Sequence, residues 1–274
     1  MKYDKSLFTS TAEYYAKYRP IYPPELFDKV IEIFGLDKND TVLDLGCGTG
    51  EISLPLSKYA KKVIAWDPDA GMLKIARQKA KERGITNIVF DLKSSDDLSD
   101  INDKVKFVIM GQSFHWMDGT KTLSDIKNIL TDDGGVTIIG TRHGLHIYSS
   151  TFTEPNVMTA KRNEIVSQVA TKYLGKERRA GKSKFKQMEQ SFEDMEREVG
   201  FVDVNQTLFD ITLSRSIDET IGFLYSTSWG NKAQLGDKAG DFEQELKEKL
   251  FNLKPDGIFN ERIVLSLLTA KNSI

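Results

Sequence analysis

The run 41-TVLDLGCGTG-50 carries the strongest chemical signal in the chain. Gly46, Gly48 and Gly50 stand on alternate residues directly after a β-rich segment. Glycines in that place let the backbone turn sharply and come close to a ligand. The spacing is G-x-G-x-G, whereas a dinucleotide fingerprint reads G-x-G-x-x-G, and here Glu51 holds the third glycine position. A carboxylate at the start of a pyrophosphate-binding helix repels its ligand. The expected ligand is therefore an adenosine-like group with a cationic or zwitterionic tail. The next apolar run, 62-KVIAWD-67, ends in Asp67. An acid at that strand tip accepts hydrogen bonds from both hydroxyls of a ribose. The bland alternative is a structural turn with a surface acid beside it.

Other groups could do chemistry near this loop. Tyr14, Tyr15, Tyr18 and Tyr22 surround Arg19 in the N-terminal stretch. Aromatic faces attract cations and a guanidinium pairs with a carboxylate. These residues either fold over a ligand as a lid or glue the arm to the rest of the chain. His115 and Trp116 lie in 112-QSFHWMD-118, just past an apolar strand run. Ligands of open α/β sheets bind at that edge. His143 and His146 form an H-x-x-H in an expected loop, too few convergent ligands for a metal. His143 could instead line an acceptor pocket. Tyr225 and Trp229 fall on an expected helix, as an apolar pocket wall or as core.

The elements that must position these residues follow from periodicity. A short helix within residues 1–20 is expected to start at a capping box of Ser10 and Glu13. A second helix starts at Pro23 or Pro24 and stops at Gly35. Strands are expected at 41–45, 62–67, 87–92, 106–111 and 135–141, with helices at 50–60 (interrupted near Pro55), 69–83 and 119–130. That rhythm is one of parallel strands with crossover helices. Beyond 142 the pattern predicts helices at 155–174, 184–199, 216–229 and 241–252. Strands at 201–214 and 263–271 have room to join the sheet as antiparallel edges. The chain so divides into an N-terminal helical arm (1–40), a Rossmann-like core (41–142), a helical insertion (143–200) and C-terminal strands with cap helices (201–274).

Composition agrees with an ordinary soluble α/β protein: 274 residues, 39% hydrophobic and 28% charged. The formal charge of −2 implies no polyanion-binding surface. The basic run 176-KERRAGKSKFK-186, followed by acids to Glu198, reads as a solvated loop and helix face. No apolar run approaches the roughly 20 residues of a membrane helix. Cys47 stands alone, and no secretory leader is visible, so a cytoplasmic protein is expected.

LDLGCGTG, Asp67, 94-SSDDL-98 and 112-QSFHWMD-118 together resemble a class I S-adenosylmethionine-dependent methyltransferase. Y-A-x-Y-R-P-x-Y-P from Tyr15 to Pro23, with F-H-W at 114–116, resembles the type 11 group, which includes trans-aconitate methyltransferase-like enzymes. The resemblance covers about residues 10–142 and implies a seven-stranded, mostly parallel Rossmann-like sheet. It implies S-adenosylmethionine as cofactor and S-adenosylhomocysteine as product. Asp44 would orient the methionine amino group, or else cap the glycine turn. Gly46 and Gly48 would pass under the methionine part and the ribose, with Gln112 near the methionine. Asp67 would hold the ribose, and Pro68 and Met72 would flank the adenine, although Met72 suits core filling equally. Ser95 would offer its amide to the adenine ring and Asp96 would meet the exocyclic amine. Both could be plain turn residues. Tyr18 and Arg19 would meet the sulfonium and the carboxylate.

Methyl transfer from a sulfonium needs donor and acceptor held in line, and a base only where the acceptor must lose a proton. His115 is the candidate base, with substrate orientation and loop packing as alternatives. Trp116 would stack on the adenine or line the acceptor pocket, or fill the core. The acceptor is expected to be a small molecule bearing an oxygen, nitrogen or carbon nucleophile, with no membrane or nucleic-acid partner. An enzyme acting on RNA or protein, and a non-catalytic cofactor-binding protein, are the alternatives. No metal is expected.

Overall fold

Short apolar runs and amphipathic stretches alternate through the first half of the chain and fold as strands joined by crossover helices. The computed structural model describes residues 11–19, 22–141, 157–176, 179–180, 183–184 and 190–273. Helices α1 (Ala12–Tyr18) and α2 (Pro24–Phe34) come first. Then follow β1 (Thr41–Leu45), α3 (Ser53–Leu56), β2 (Lys62–Trp66), α4 (Ala70–Glu82), β3 (Ile88–Asp91), β4 (Val105–Gly111), α5 (Gly119–Ile129) and β5 (Leu130–Thr141). Next are α6 (Val157–Leu174), the two-residue strands β6 (Arg179–Ala180) and β7 (Ser183–Lys184), and α7 (Phe192–Val199). The chain closes with β8 (Val202–Ser216), α8 (Ile217–Tyr225), α9 (Lys232–Leu235), α10 (Ala239–Leu253) and β9 (Ile258–Lys271).

Seven strands form one sheet in the order β3-β2-β1-β4-β5-β9-β8, with β1 to β5 parallel. The order reverses between β1 and β4. A crevice opens there at the carboxyl ends of the two strands, the place where open α/β sheets bind ligands. Side chains of β1 alternate between two cores. Val42 joins Leu26, Val30 and Phe34 of α2, while Leu43 and Leu45 join Leu123 and Ile126 of α5 and Met195 of α7. Each such fully buried aliphatic residue is worth about 1.5–3 kcal/mol over exposure. A third cluster unites α6, α8 and α10 into a cap around Tyr225, Trp229 and Phe242.

The late strands depart from the expectation of two antiparallel edges. Both pair antiparallel, β9 with β5 and β8 with β9, but β9 sits inside the sheet and β8 forms the edge opposite β3. The burial pattern explains the choice. Residues 265–270 of β9 are all buried, so the strand needs neighbours on both sides, whereas β8 alternates half-buried and exposed. β8 pairs with β9 from Val202 to Ser216, but β5 pairs with β9 from Gly135–Lys271 only as far as Thr141–Leu265 among the described residues. The distal part of this ribbon therefore runs past the carboxyl end of β5 and carries α8 at its tip.

Other boundaries moved for local reasons. Thr11, without a side-chain cap bond, is the N-cap of α1. Ser10 lies outside the described residues. Pro24 opens α2, and Gly35 ends it at φ 59°. The helix after the glycine loop shrinks to the single turn of α3. α7 begins only at Phe192, capped by the Ser191 side chain, because residues 183–184 are extended and pair with 179–180. α8 stops at Tyr225, four residues early. There the hydroxyls of Ser226 and Thr227 donate to the carbonyls of Phe223 and Leu224, and the chain turns toward the crevice. No described helix is long and apolar enough to cross a membrane.

Candidate active site

The glycine loop leaves β1 with Gly46 at φ 79° and Gly48 at φ 54°, values that side chains disfavour. Gly46 is also required by space: a Cβ there would stand 2.5 Å from the Cβ of Ser113. Ser113 in turn donates to the carbonyl of Leu45 at 2.7 Å, so the turns after β1 and β4 are locked together. Asp67, at the end of β2, accepts from the Gly48 amide at 2.8 Å and from the Asp69 amide at 2.9 Å. Burial raises its pKa to about 6 against the pull of those two amides.

Asp44 lies fully buried beneath the loop. One carboxylate oxygen accepts from the Ser53 hydroxyl at 2.5 Å, and the other has no hydrogen-bond partner among the described residues. Burial lifts this carboxyl to about 7, opposed by Ser53. Glu51 does not face the crevice. Its carboxylate receives Lys79 at 2.6 Å and the Thr49 hydroxyl at 2.8 Å. The repulsion expected of Glu51 is therefore largely offset by Lys79. What disfavours a pyrophosphate is the helix itself, since the one turn of α3 offers little dipole to an anion.

A cavity fills the crevice between this loop, the turns after β2, β3 and β4, the end of α1 and the turn after α8. It gathers Arg19, Gly46, Gly48, Asp67, Pro68, Met72, Ser95, Gln112, His115, Trp116 and Trp229 from the residues singled out in the sequence. Gln112 takes up φ 56°, a left-handed conformation unusual for a side-chain-bearing residue, with its amide donating to the Ile139 carbonyl at 2.8 Å. Strain of this kind collects at functional sites. His115 and Trp116 occupy a 3₁₀ turn, their rings 4.8 Å apart between centroids.

Four singled-out residues stand elsewhere. Tyr18 packs on α8, where a Cβ on Gly222 would be 2.4 Å from its ring. Asp44 is below the loop. Asp96 is exposed, and its amide donates to the Ser94 hydroxyl, with Ser94 and Asp97 closing a capping box. Tyr225 is buried in the cap with its hydroxyl donating to Glu243 at 3.1 Å. His143 and His146 lie outside the described residues.

Tyr15, Ser94, Ser113, Met117, Thr227 and Ser228 also line the cavity. Helical spacing is the signal for Tyr15. Residues 14 and 18 share the face of α1 turned to the cap, and residues 15 and 19 share the face turned to the loop. Thr227 and Ser228 reach the site only because α8 ends early, which no local pattern announces.

Arg19 joins the two halves. Its Nε donates to the Ser226 hydroxyl at 3.0 Å and its Nη2 to the Ser226 carbonyl at 3.2 Å. The guanidinium stands 4.8 Å from the Tyr15 ring centroid and 5.1 Å from that of Phe223. Burial and the nearby Arg215 lower its pKa, while Tyr15 and Tyr22 raise it. No carboxylate of the described residues pairs with it. A left-handed glycine cradle, a buried carboxylate with a spare oxygen and a cation without a counter-charge fit a nucleoside with a zwitterionic amino-acid tail.

Comparisons with known proteins agree. Residues 42–134 match a family described as a methyltransferase domain. A probable S-adenosylmethionine-dependent methyltransferase of Saccharomyces cerevisiae is 32% identical over 123 residues, 44% of this chain and 42% of that protein. The match thus spans less than half of that relative's length. A Dictyostelium discoideum protein named as a methyltransferase is 25% identical over 89% of this chain and 84% of its own. A crystal structure described as a methyltransferase from Bacillus halodurans C-125 superposes with TM-score 0.56 over 92% of this chain and 100% of that one. At 15% identity it speaks for the fold alone. The glycine loop lies at the switch of a seven-stranded sheet, and residues 42–134 around it form a methyltransferase domain similar to those of these relatives.

Proposed function

We propose that the chain moves the methyl group of S-adenosylmethionine to a small-molecule acceptor by in-line displacement and releases S-adenosylhomocysteine. One observation carries this most: Arg19, a cation without a carboxylate partner among the described residues, shares one cavity with the buried Asp67, and Asp44 lies buried beneath the glycine loop of that cavity with one oxygen unpartnered. An amino acid's carboxylate suits the first and its ammonium and ribose suit the other two.

The sulfonium supplies an activated methyl group with a neutral thioether as leaving group. The residues of the chain bind, orient and exclude water. Asp67 would accept the ribose hydroxyls while keeping the Gly48 amide in place. Asp44 would turn its spare oxygen to the amino group, directly or through water. Pro68, Met72 and Ser95 would enclose the adenine, and Gln112 the methionine. His115, Trp116, Thr227, Ser228 and Trp229 line the rest of the cavity and would surround the acceptor. His115 would take the proton from an acceptor that carries one.

The small-molecule reading draws on the cap. Thr227, Ser228 and Trp229 roof the cavity, and net charge gives no general attraction to nucleic acid. Calorimetry with S-adenosylhomocysteine tests the cofactor site, with NAD as control. A panel of carboxylates, alcohols, phenols and amines, followed by S-adenosylhomocysteine release, tests the acceptor class. Turnover on RNA or protein and on none of these would overturn it.

A further inference from the structure

Behind the cavity, where the distal ribbon meets the cap, three charged side chains are buried together. Glu261 of β9 accepts from Arg162 Nη2 of α6 and from Arg215 Nε of β8, each at 2.6 Å. All three side chains are less than a tenth exposed. Burial opposes the Glu261 carboxylate, yet Arg215 and Arg162 hold it below its ordinary range. Taking such charges out of water costs several kcal/mol each, and apolar side chains of similar volume often stabilise a core as well. Stability alone is thus a weak reason for the cluster.

Arg215 has a second set of contacts. Its Nη1 donates to the carbonyl of Tyr18 across a long 3.4 Å, and its guanidinium stands 4.6 Å from the Phe223 ring centroid. Tyr18 ends α1, so its carbonyl is one that the helix leaves without a partner of its own. The next residue is Arg19, whose guanidinium stands 5.1 Å from the same Phe223 ring. Two like charges share one aromatic ring, an arrangement that needs an anion nearby. Glu261 supplies it to Arg215.

We propose that Arg215, held by Glu261, is a positioning residue that fixes Arg19 over the glycine loop. Glu261 reduces the repulsion between Arg215 and Arg19, and the Arg215–Tyr18 contact pins the helix end from which Arg19 projects. The inference rests on Arg19 as the ligand of the cofactor's carboxylate. It makes the ribbon, and through it the whole cap, part of cofactor binding although neither Arg215 nor Glu261 lines the cavity.

The test is a double-mutant cycle read by calorimetry with S-adenosylhomocysteine on the full chain. Arg19→Ala should weaken binding by about tenfold or more, the loss of a charge-assisted contact. Arg215→Met should weaken it by about tenfold through misplacement of Arg19. In the Arg19→Ala background Arg215→Met should change nothing further, because its effect passes through Arg19. Arg215→Lys keeps the charge but reaches only one of the two partners, so it should fall between. If Arg215→Met fails to fold, the triple Arg162→Met, Arg215→Met, Glu261→Leu replaces it in the cycle, since no charge is then left buried alone. Equal losses in both backgrounds, or no loss from the Arg215 variants, overturn the inference while leaving Arg19 as ligand. Wild-type protein that ignores S-adenosylhomocysteine, or Arg19→Ala that binds like wild type, overturns the ligand assignment and the inference with it.

Discussion

Cofactor affinity should fall steeply between pH 8 and pH 5, and Asp67 sets the minimum size of that fall. In the free protein burial holds Asp67 at about 6 and Asp44 at about 7. A ribose hydroxyl donates to a carboxylate and an ammonium needs a negative partner, so both acids must be ionised in the complex. At pH 5 Asp67 is one unit below its pKa and only about a tenth ionised, which alone weakens binding by about tenfold. If Asp44 must ionise as well, its two units add about a hundredfold. The loss from pH 8 to pH 5 then lies between about tenfold and a thousandfold, or about 1.4–4 kcal/mol.

The measurement is the dissociation constant of S-adenosylhomocysteine by calorimetry at half-unit steps. The ligand's amino, carboxyl and adenine groups do not titrate in this window. Unfolding does not intrude from these two acids either. Their folded pKa values are raised, so the native chain holds more protons than the unfolded one between about pH 4 and 7. Their contribution to stability therefore grows as pH falls through that window. Asp67→Asn should weaken binding at pH 8 at least tenfold, because an amide nitrogen would face either the Gly48 or the Asp69 amide, and should flatten the dependence near pH 6. A wild-type affinity that stays constant from pH 8 to pH 5 refutes the assignment of both acids.

Three more outcomes follow from other contacts. Gly222→Ala would put a Cβ 2.4 Å from the Tyr18 ring, so α1 must move off α8; we expect about 1–3 kcal/mol lost in urea melts and weaker S-adenosylhomocysteine binding, since Arg19 moves with the helix. Glu196, fully buried on α7 with neither carboxylate oxygen partnered among the described residues, is pushed by burial to about 8. Keeping its proton above the ordinary value of 4.5 costs the folded state about 1.4 kcal/mol per pH unit relative to the ionised unfolded chain, rising to about 5 kcal/mol by pH 8, so the folded state weakens as pH rises from about 4.5 to 8; Glu196→Met should remove that slope in urea melts at pH 5 and pH 8. His115→Ala should leave S-adenosylhomocysteine binding unchanged and slow turnover of a proton-bearing acceptor, and unchanged turnover removes the base role.

Much of the parallel core was legible because its signals are local. Apolar strands, a Pro24 start, a Gly35 stop and a G-x-G-x-G turn each act within a few residues. Where expectations moved, the cause was a partner far along the chain. β9 lies inside the sheet because both its faces find a core, and the turn that ends α8 at Ser226 is held by Arg19, 207 residues away. In the cavity, Asp67 followed from its strand tip. The repulsion attributed to Glu51 was offset by Lys79, 28 residues away, a pairing invisible to spacing. Tyr18 turned to the cap while Tyr15 turned to the loop, a distinction that helical phase alone could have drawn.

The acceptor side stayed illegible for a related physical reason. The walls proposed for it come from Thr227, Ser228 and Trp229, in a turn whose position depends on the ribbon, the cap core and one arginine from the other end of the chain. Arg19 binds that turn through Ser226 and faces the cofactor half of the same cavity. A cofactor carboxylate that fixes the guanidinium also fixes the turn, and an acceptor that orders the turn holds the guanidinium in place. Linkage makes such coupling reciprocal: whatever factor the cofactor adds to acceptor affinity, the acceptor returns to the cofactor. Under the proposed function, acceptor choice would be a property of the cap and arm acting together, and substitutions in the turn would alter it without touching the glycine loop.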